Sequence, residues 1–268
     1  MPASYLPPAF PVSPGVHIAF TVLKQLDDVL SLSMAVRAHS SKKYEAQLRR
    51  LKERLLTIGH KAEAAIADAT RALIEREPSL AQRVIDGDDE IDALEKEVDD
   101  ICFEILACEQ PVASDLRFIT TAMKIVGDIE RIADNGVNIA RRALEVVREP
   151  ELKPAIDIPV AAAAARRVLS QSLDAFVNQD ARLAKQVIDC DEYIDAVCEQ
   201  MLRELLTYMF EDPHLIGRAL PLIFVSRQLE RVGDHATNIA EMVIFLVEAR
   251  DVRHRHPVAG PAEGGTVA

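Results

Sequence analysis

Leu48, Leu51, Leu55, Ile58, Ala62, Ala65, Ala69 and Ala72 follow one another at steps of three and four. That spacing lays a single apolar stripe along a long helix. Pro78, in REPSL, opens the next helix, because proline is tolerated in a first turn and not in a helix interior. Val84, Ile91, Val98 and Ile105 mark the buried side of that second helix, and Pro111, in EQPVASD, ends it. A third helix carries Ile119, Ala122, Val126, Ile129, Ala133, Ala140, Leu144 and Val147. The prolines of REPELKPAIDIP then predict a linker. Beyond it the cycle returns. Helices are expected from about Ala161 to Asn178 and from about Ala181 to Phe210. After a break at Pro213 a last helix runs to about Arg250, bent near its start by Pro221.

The two cycles can be laid over each other. AQRVIDGDDEIDAL (81–94) matches AKQVIDCDEYIDAV (184–197), and ERIADNGVNIA (130–140) matches ERVGDHATNIA (230–240). The offset changes from 103 to 100 between the blocks, which puts an indel at the proline-bearing turn. The fold class predicted is all-α, a tandem pair of pseudo-symmetric three-helix bundles. The first repeat is expected over 41–149, a linker over 150–159 and the second repeat over 160–250. Residues 1–40 are read as a tail, on the strength of Pro2, Pro7, Pro8, Pro11 and Pro14. Residues 251–268, ending in PVAGPAEGGTVA, are read as a disordered second tail.

Composition sharpens this picture in three places. Aromatic residues make up 4% of the chain and Trp is absent, which suits helices packed through Ala, Leu, Ile and Val. A net charge of −12 argues against nucleic acid and for cations or basic partners. No apolar run is long enough to span a bilayer, and the N-terminus lacks the basic start of a signal peptide, so membrane insertion is not expected and the location expected is cytoplasmic. Cys102, Cys108, Cys190 and Cys198 form no C-x-x-C pair, so they are read as buried free thiols rather than a zinc site.

The candidate chemistry lies where acids interrupt the apolar stripes. Asp88 follows Val84 and precedes Ile91; Asp191 follows Val187 and precedes Ile194. Each has a second Asp four residues on, Asp92 and Asp195, stacked on the same helical face. The third helix of each repeat adds Glu130 with Asp134, and Glu230 with Asp234, one residue beyond the core stripe and so at a rim open to solvent. Carboxylates gathered in this way repel one another and lose hydration, which a bound hard cation offsets. Oxygen-only ligands suit magnesium, calcium, manganese or iron. A lone D-x-x-x-D is a weak signal, and Arg131 or Arg231 could simply pair with Asp134 or Asp234 at i,i+3. The argument for metal is the doubling: the acids coincide in both repeats while Ala133 and Asn135 have drifted to Gly233 and His235. His235 is a further possible ligand. Asn138 and Asn238 are open between supporting a ligand and joining two helices.

These motifs resemble the PhoU family. The matching pieces are LRRLKERLLTIGHKAEAAI, VIDGDDEIDALE, the EQPVASDLRFI turn and the two ER-x-x-D phrases, together covering roughly 43–250. The resemblance implies two symmetric three-helix bundles and metal at E/D-x-x-x-D motifs, as iron, manganese or magnesium. In this sequence those positions are Asp88, Asp92, Glu130 and Asp134, then Asp191, Asp195, Glu230 and Asp234. It further implies a cytoplasmic, often dimeric, non-enzymatic regulator. Its partners would be the ATPase of the phosphate ABC transporter and a phosphate-sensing histidine kinase, and it would restrain uptake and the starvation response. In the first repeat Asn135-Gly136 departs from bulkier helix formers, and a mid-helix Gly weakens a helix by about 1 kcal/mol. Two other readings fit a helical protein. A carboxylate-bridged di-metal oxidase requires E-x-x-H on facing helices, and the one such string here, Glu211 to His214, contains Pro213. A metal-free helical adaptor would leave the acids merely solvated.

Overall fold

Alternation of apolar residues at three and four, with few glycines, leaves the backbone no better way to satisfy its N–H and C=O groups than helices. The computed structural model describes the backbone of residues 14–109, 111–150, 152 and 157–252, the side chains of 14–41 excepted, and every element in it is helical. The order is α1 (Pro14–Glu75), α2 (Pro78–Asp86), α3 (Asp88–Cys108), α4 (Ala113–Val146), α5 (Ile158–Asn178), α6 (Ala181–Asp189), α7 (Asp191–Glu211) and α8 (Ile216–Glu248), with a short 3-10 turn, Pro213–Leu215, before α8. The chain forms two units, 1–48 and 49–268.

In the first unit the backbone is helical from Pro14, where the sequence reading placed a tail. Pro14 is the last proline before Pro78, and as the first residue of a helix it supplies a pre-set φ without removing a needed hydrogen bond. Residues 1–13, with Pro2, Pro7, Pro8 and Pro11, and the C-terminal stretch from 253 lie outside the described residues.

The second unit is the tandem pair of bundles. α4 and α8 pack against each other; α2 and α3 lean on α4, and α5, α6 and α7 on α8. The predicted stripes are the core: Leu51, Ile58, Ala62 and Ala69 of α1, Val98 and Ile105 of α3, and Ile119, Ala122, Ile129 and Ala133 of α4 are all fully buried. Cys102 and Cys198 are buried thiols, pushed up to about 12 and about 11 by desolvation, so neither is a thiolate near neutral pH. Cys108 is exposed and Cys190 half-buried, so burial holds for two of the four cysteines.

Two further features depart from the sequence reading. The second helix of each bundle is broken by one residue, Gly87 (φ −83°, ψ −7°) and Cys190 (φ −84°, ψ −10°). Neither angle needs glycine, which is why Cys can stand in for it. The break makes Asp88 and Asp191 the first residues of new helices, where the dipole favours an acid. The second departure is at Gly136. A Cβ there would meet the backbone carbon and Cβ of Ala65 at 3.2 Å and the amide nitrogen of Ile66 at 3.3 Å. The residue that costs α4 helix propensity is therefore what lets α4 lie against the backbone of α1.

Gly136→Ala is expected to destabilise the protein. Overpacking against a backbone that cannot yield costs about 1–3 kcal/mol, more than the roughly 1 kcal/mol that Ala returns in helix propensity. Thermal unfolding would show a lower midpoint; an equal or higher one means that α1 and α4 are not held so closely.

Candidate metal centres

Each site is built on the joint within the second helix. After Gly87, α3 presents Asp88, Asp92, Glu95 and Asp99 at steps of four, three and four, hence on one face. α4 packs against α3 and brings Glu130 and Asp134 opposite. After Cys190, α7 presents Asp191 and Asp195 toward Glu230 and Asp234 of α8. Asp88, Asp92, Glu130, Asp191 and Glu230 are half-buried, whereas Asp134, Asp195 and Asp234 are exposed, which is the solvent-facing rim expected.

The electrostatics show which acids share a site. Burial raises the Asp88 carboxyl above its ordinary range, and Asp134 and Asp92 raise it further, with Arg141 opposing them. Glu130 is raised by burial, then by Asp134, Glu95 and Asp92. In the second bundle Asp191 is raised by burial and by Asp234 and Glu230, against a 3.2 Å hydrogen bond donated by the Thr237 hydroxyl. Asp195 and Asp234 are exposed as whole residues, yet partial desolvation of their carboxyls still raises both, followed by their acidic neighbours, Glu230 among them in both cases. Asp88 and Glu130 thus both feel Asp92 and Asp134, and Asp191, Asp195 and Asp234 all feel Glu230. Their donor set, all carboxylate oxygen and short of positive charge, fits a hard cation. As the side chains stand, no three acids, histidines or cysteines among the described residues are spaced to hold one ion.

Sequence reasoning missed Glu95 and Asp99. Burial raises both, with Asp99 and Asp92 acting on Glu95 and Asp100 on Asp99. Their spacing from Asp92 was the available signal, but the second repeat has Cys198 where the first has Glu95, so comparing repeats hid it. Among the described residues no ion pair joins Arg131 to Asp134 or Arg231 to Asp234; Glu230 takes Arg227 instead, at 2.6 Å. His235 is committed elsewhere. Its Nδ1 lies 2.9 Å from Asp128 Oδ1 on α4, across the junction between the bundles. Asn238 Nδ2 donates to the same oxygen at 3.3 Å, and Asn138 Nδ2 donates to Gln228 Oε1 at 3.4 Å. Exchanging the repeats turns one contact into the other, so the two asparagines join helices. Glu211 ends α7 and His214 sits in the following 3-10 turn, so the E-x-x-H string does not lie on one helix.

The model of the PhoU domain matches this chain twice, at residues 55–143 and 159–243. The chain belongs to the PhoU family. It is 42% identical over 217 residues to a phosphate-specific transport system accessory protein PhoU homolog of Pseudomonas aeruginosa, covering 81% of this chain and 90% of that protein. The corresponding PhoU of Escherichia coli is 32% identical over 222 residues, 83% of this chain and 92% of its own length. The crystal structure of PhoU from Pseudomonas aeruginosa superposes with a TM-score of 0.75 over 77% of this chain and all of that one, at 42% identity. That of the phosphate transport system regulatory protein PhoU from Streptococcus pneumoniae gives 0.72 over 78% and 99%, at 25% identity. Each PhoU domain holds one carboxylate cluster, so the duplication found in the sequence and the doubling of the site are the same fact.

The raised carboxyls fix the sign of the pH dependence. A carboxyl whose folded value exceeds its unfolded one, near 4, adds stability below that value and loses it as pH rises through the folded value. Chelator-treated protein is therefore expected to melt higher at pH 5 than at pH 7.5. Asp191→Asn should raise the midpoint at pH 7.5 and flatten the profile. A midpoint that falls steadily from pH 7.5 to 5 contradicts the clustering.

Proposed function

We propose that this PhoU-family protein is a cytoplasmic, non-enzymatic negative regulator of phosphate uptake and of the phosphate-starvation response. Membership of the family and the names of its relatives, accessory and regulatory proteins of phosphate transport, support a regulatory role in that transport. Among the described residues no helix is long and apolar enough to cross a membrane. The partners we infer are the ATPase of the phosphate ABC transporter and a phosphate-sensing histidine kinase, contacted by a homodimer, with no role for nucleic acid.

The observation that carries the mechanism is the paired acid cluster between the second and third helices of each bundle. Asp88, Asp92, Glu130 and Asp134 would hold a divalent or trivalent ion in the first bundle, with Glu95 at its edge; Asp191, Asp195, Glu230 and Asp234 would hold another in the second. Iron, manganese and magnesium all suit oxygen ligands, and the ion supplies positive charge where burial and repulsion oppose ionisation. These side chains would then clamp α3 to α4 and α7 to α8, fixing the helix faces that partners read.

Replacing Glu230 and Asp234 by Ala is expected to remove roughly half of the bound metal, one site of two, and to lower the melting point of the loaded protein. In cells the same variant should release a starvation-responsive reporter in phosphate-rich medium. Unchanged metal content removes this site from the mechanism. A silent reporter with metal lost separates metal from regulation and favours the metal-free adaptor.

A further inference from the structure

One break in the pseudo-symmetry of the bundles lies beside the ends of their first helices. Arg76 (φ 57°) and Gln179 (φ 51°) follow the first helix of each repeat at equivalent positions, and the next residue closes the turn in the same way, Glu77 N–H on Ala72 O and Asp180 N–H on Ala175 O, both at 2.9 Å. Beside Gln179 the space is filled by Phe176 and Phe118, stacked with ring centroids 5.6 Å apart. Their counterparts by the repeat offsets are Leu73 and Arg218. No aromatic pair stands there, and a cleft of about 380 Å³ opens between the ends of α1 and α4 and the starts of α5 and α8.

Leu73, Ile158, Pro221 and Leu222 give that cleft apolar walls, and three guanidiniums, those of Arg76, Arg148 and Arg218, line it. Arg76 is spent on structure: its Nη2 donates to the carbonyl oxygens of Val146 and Val147 at 3.1 Å and to that of Glu149. Arg218 lies 3.9 Å from Glu149, a loose pairing. Arg148 makes no side-chain hydrogen bond or ion pair among the described residues. Of the two acids in the lining, Glu145 is held by Arg142 at 2.7 Å. The cleft therefore offers an apolar slot the size of small-ligand pockets, lined by the guanidiniums of Arg148 and of Arg218, the latter only loosely paired.

We propose that this cleft binds a small organic anion with a planar apolar body. The body takes the place that the stacked phenyl rings fill at the other end, and Arg148 and Arg218 hold a phosphate or carboxylate head group, which a guanidinium grips through two parallel hydrogen bonds. The site is separate from the carboxylate clusters and needs no metal.

The test is isothermal titration of the full-length protein in chelator with 1-naphthyl phosphate, inorganic phosphate and 1-naphthol. The naphthyl phosphate is expected to bind at one site, and each half-molecule at least about ten-fold more weakly. Arg148→Gln should weaken the naphthyl phosphate about ten-fold while the melting point stays put. The double variant L73F/R218F rebuilds the aromatic plug. It should abolish binding and melt at or above the wild-type temperature, as a filled cavity requires. Absence of naphthyl phosphate binding, affinity unchanged in L73F/R218F, or inorganic phosphate binding equally well would each overturn the proposal.

Discussion

The closeness of α4 and α8 governs this molecule. α4 carries α2 and α3 and α8 carries α5, α6 and α7, so the α4–α8 contact is what joins the two bundles. Ile129, Ile132, Ile139 and Ala140 on α4, with Val232, Ala236, Ile239 and Ala240 on α8, are fully buried. The polar residues at the junction are paired reciprocally, Asn138 with Gln228 and Asn238 with Asp128, and His235 adds a second hold on Asp128. These partly buried polar contacts are made in one alignment of the two helices, and so favour that register. That register sets where Glu130, Asp134, Glu230 and Asp234 come to rest, because they lie on the same two helices within one or two turns.

Given that register, the acid clusters depend on one-residue joints. Gly87 and Cys190 stop the second helices long enough to restart them with Asp at the first position. An uninterrupted helix would carry Asp88 and Asp191 on the buried stripe, where the steps from Val84 and Val187 place them. The joint turns that placement into a half-buried one facing the third helix. Desolvation remains the first cause of the raised carboxyls in both bundles, ahead of any single neighbour. The clusters are unstable as bare anions by construction, which is the condition under which binding a cation contributes most.

Much of this was legible in the sequence, and the rest was not for identifiable reasons. The stripes from Leu51 to Ala72 and from Ile119 to Ala140 announce buried helix faces because a period of 3.6 is a local property. The duplicated acids announce themselves because two copies can be compared. The joints were hidden: Gly87 in one repeat and Cys190 in the other share no composition, and the backbone they adopt is open to any residue. His235 and the two asparagines were ambiguous because their partners lie about a hundred residues away. Gly136 read as a weakness because its benefit, room for Ala65, belongs to another helix. The helix that begins at Pro14 was missed because a cluster of prolines signals a break, and the last of that cluster instead occupies a first helical position, where proline is at home.

Duplication also shows what the fold does not need. Where both copies keep a residue type, as with the acids, a shared physical demand explains it. Where they differ, the fold tolerates both, and the difference is free to serve something else. Cys198 facing the place of Glu95 is one such difference: it leaves the second acid cluster with one carboxylate fewer at its edge. Phe118 and Phe176 against Arg218 and Leu73 is the larger one. An aromatic stack at one end buries apolar surface and excludes water. A guanidinium at the other end leaves a cleft that stability alone would close, since filling a void of that kind recovers packing. The bundle accepts the filled arrangement at Phe118 and Phe176; at the matching positions Leu73 and Arg218 leave the space open, beside Glu149, Pro150 and Leu152 of the segment that joins the two repeats.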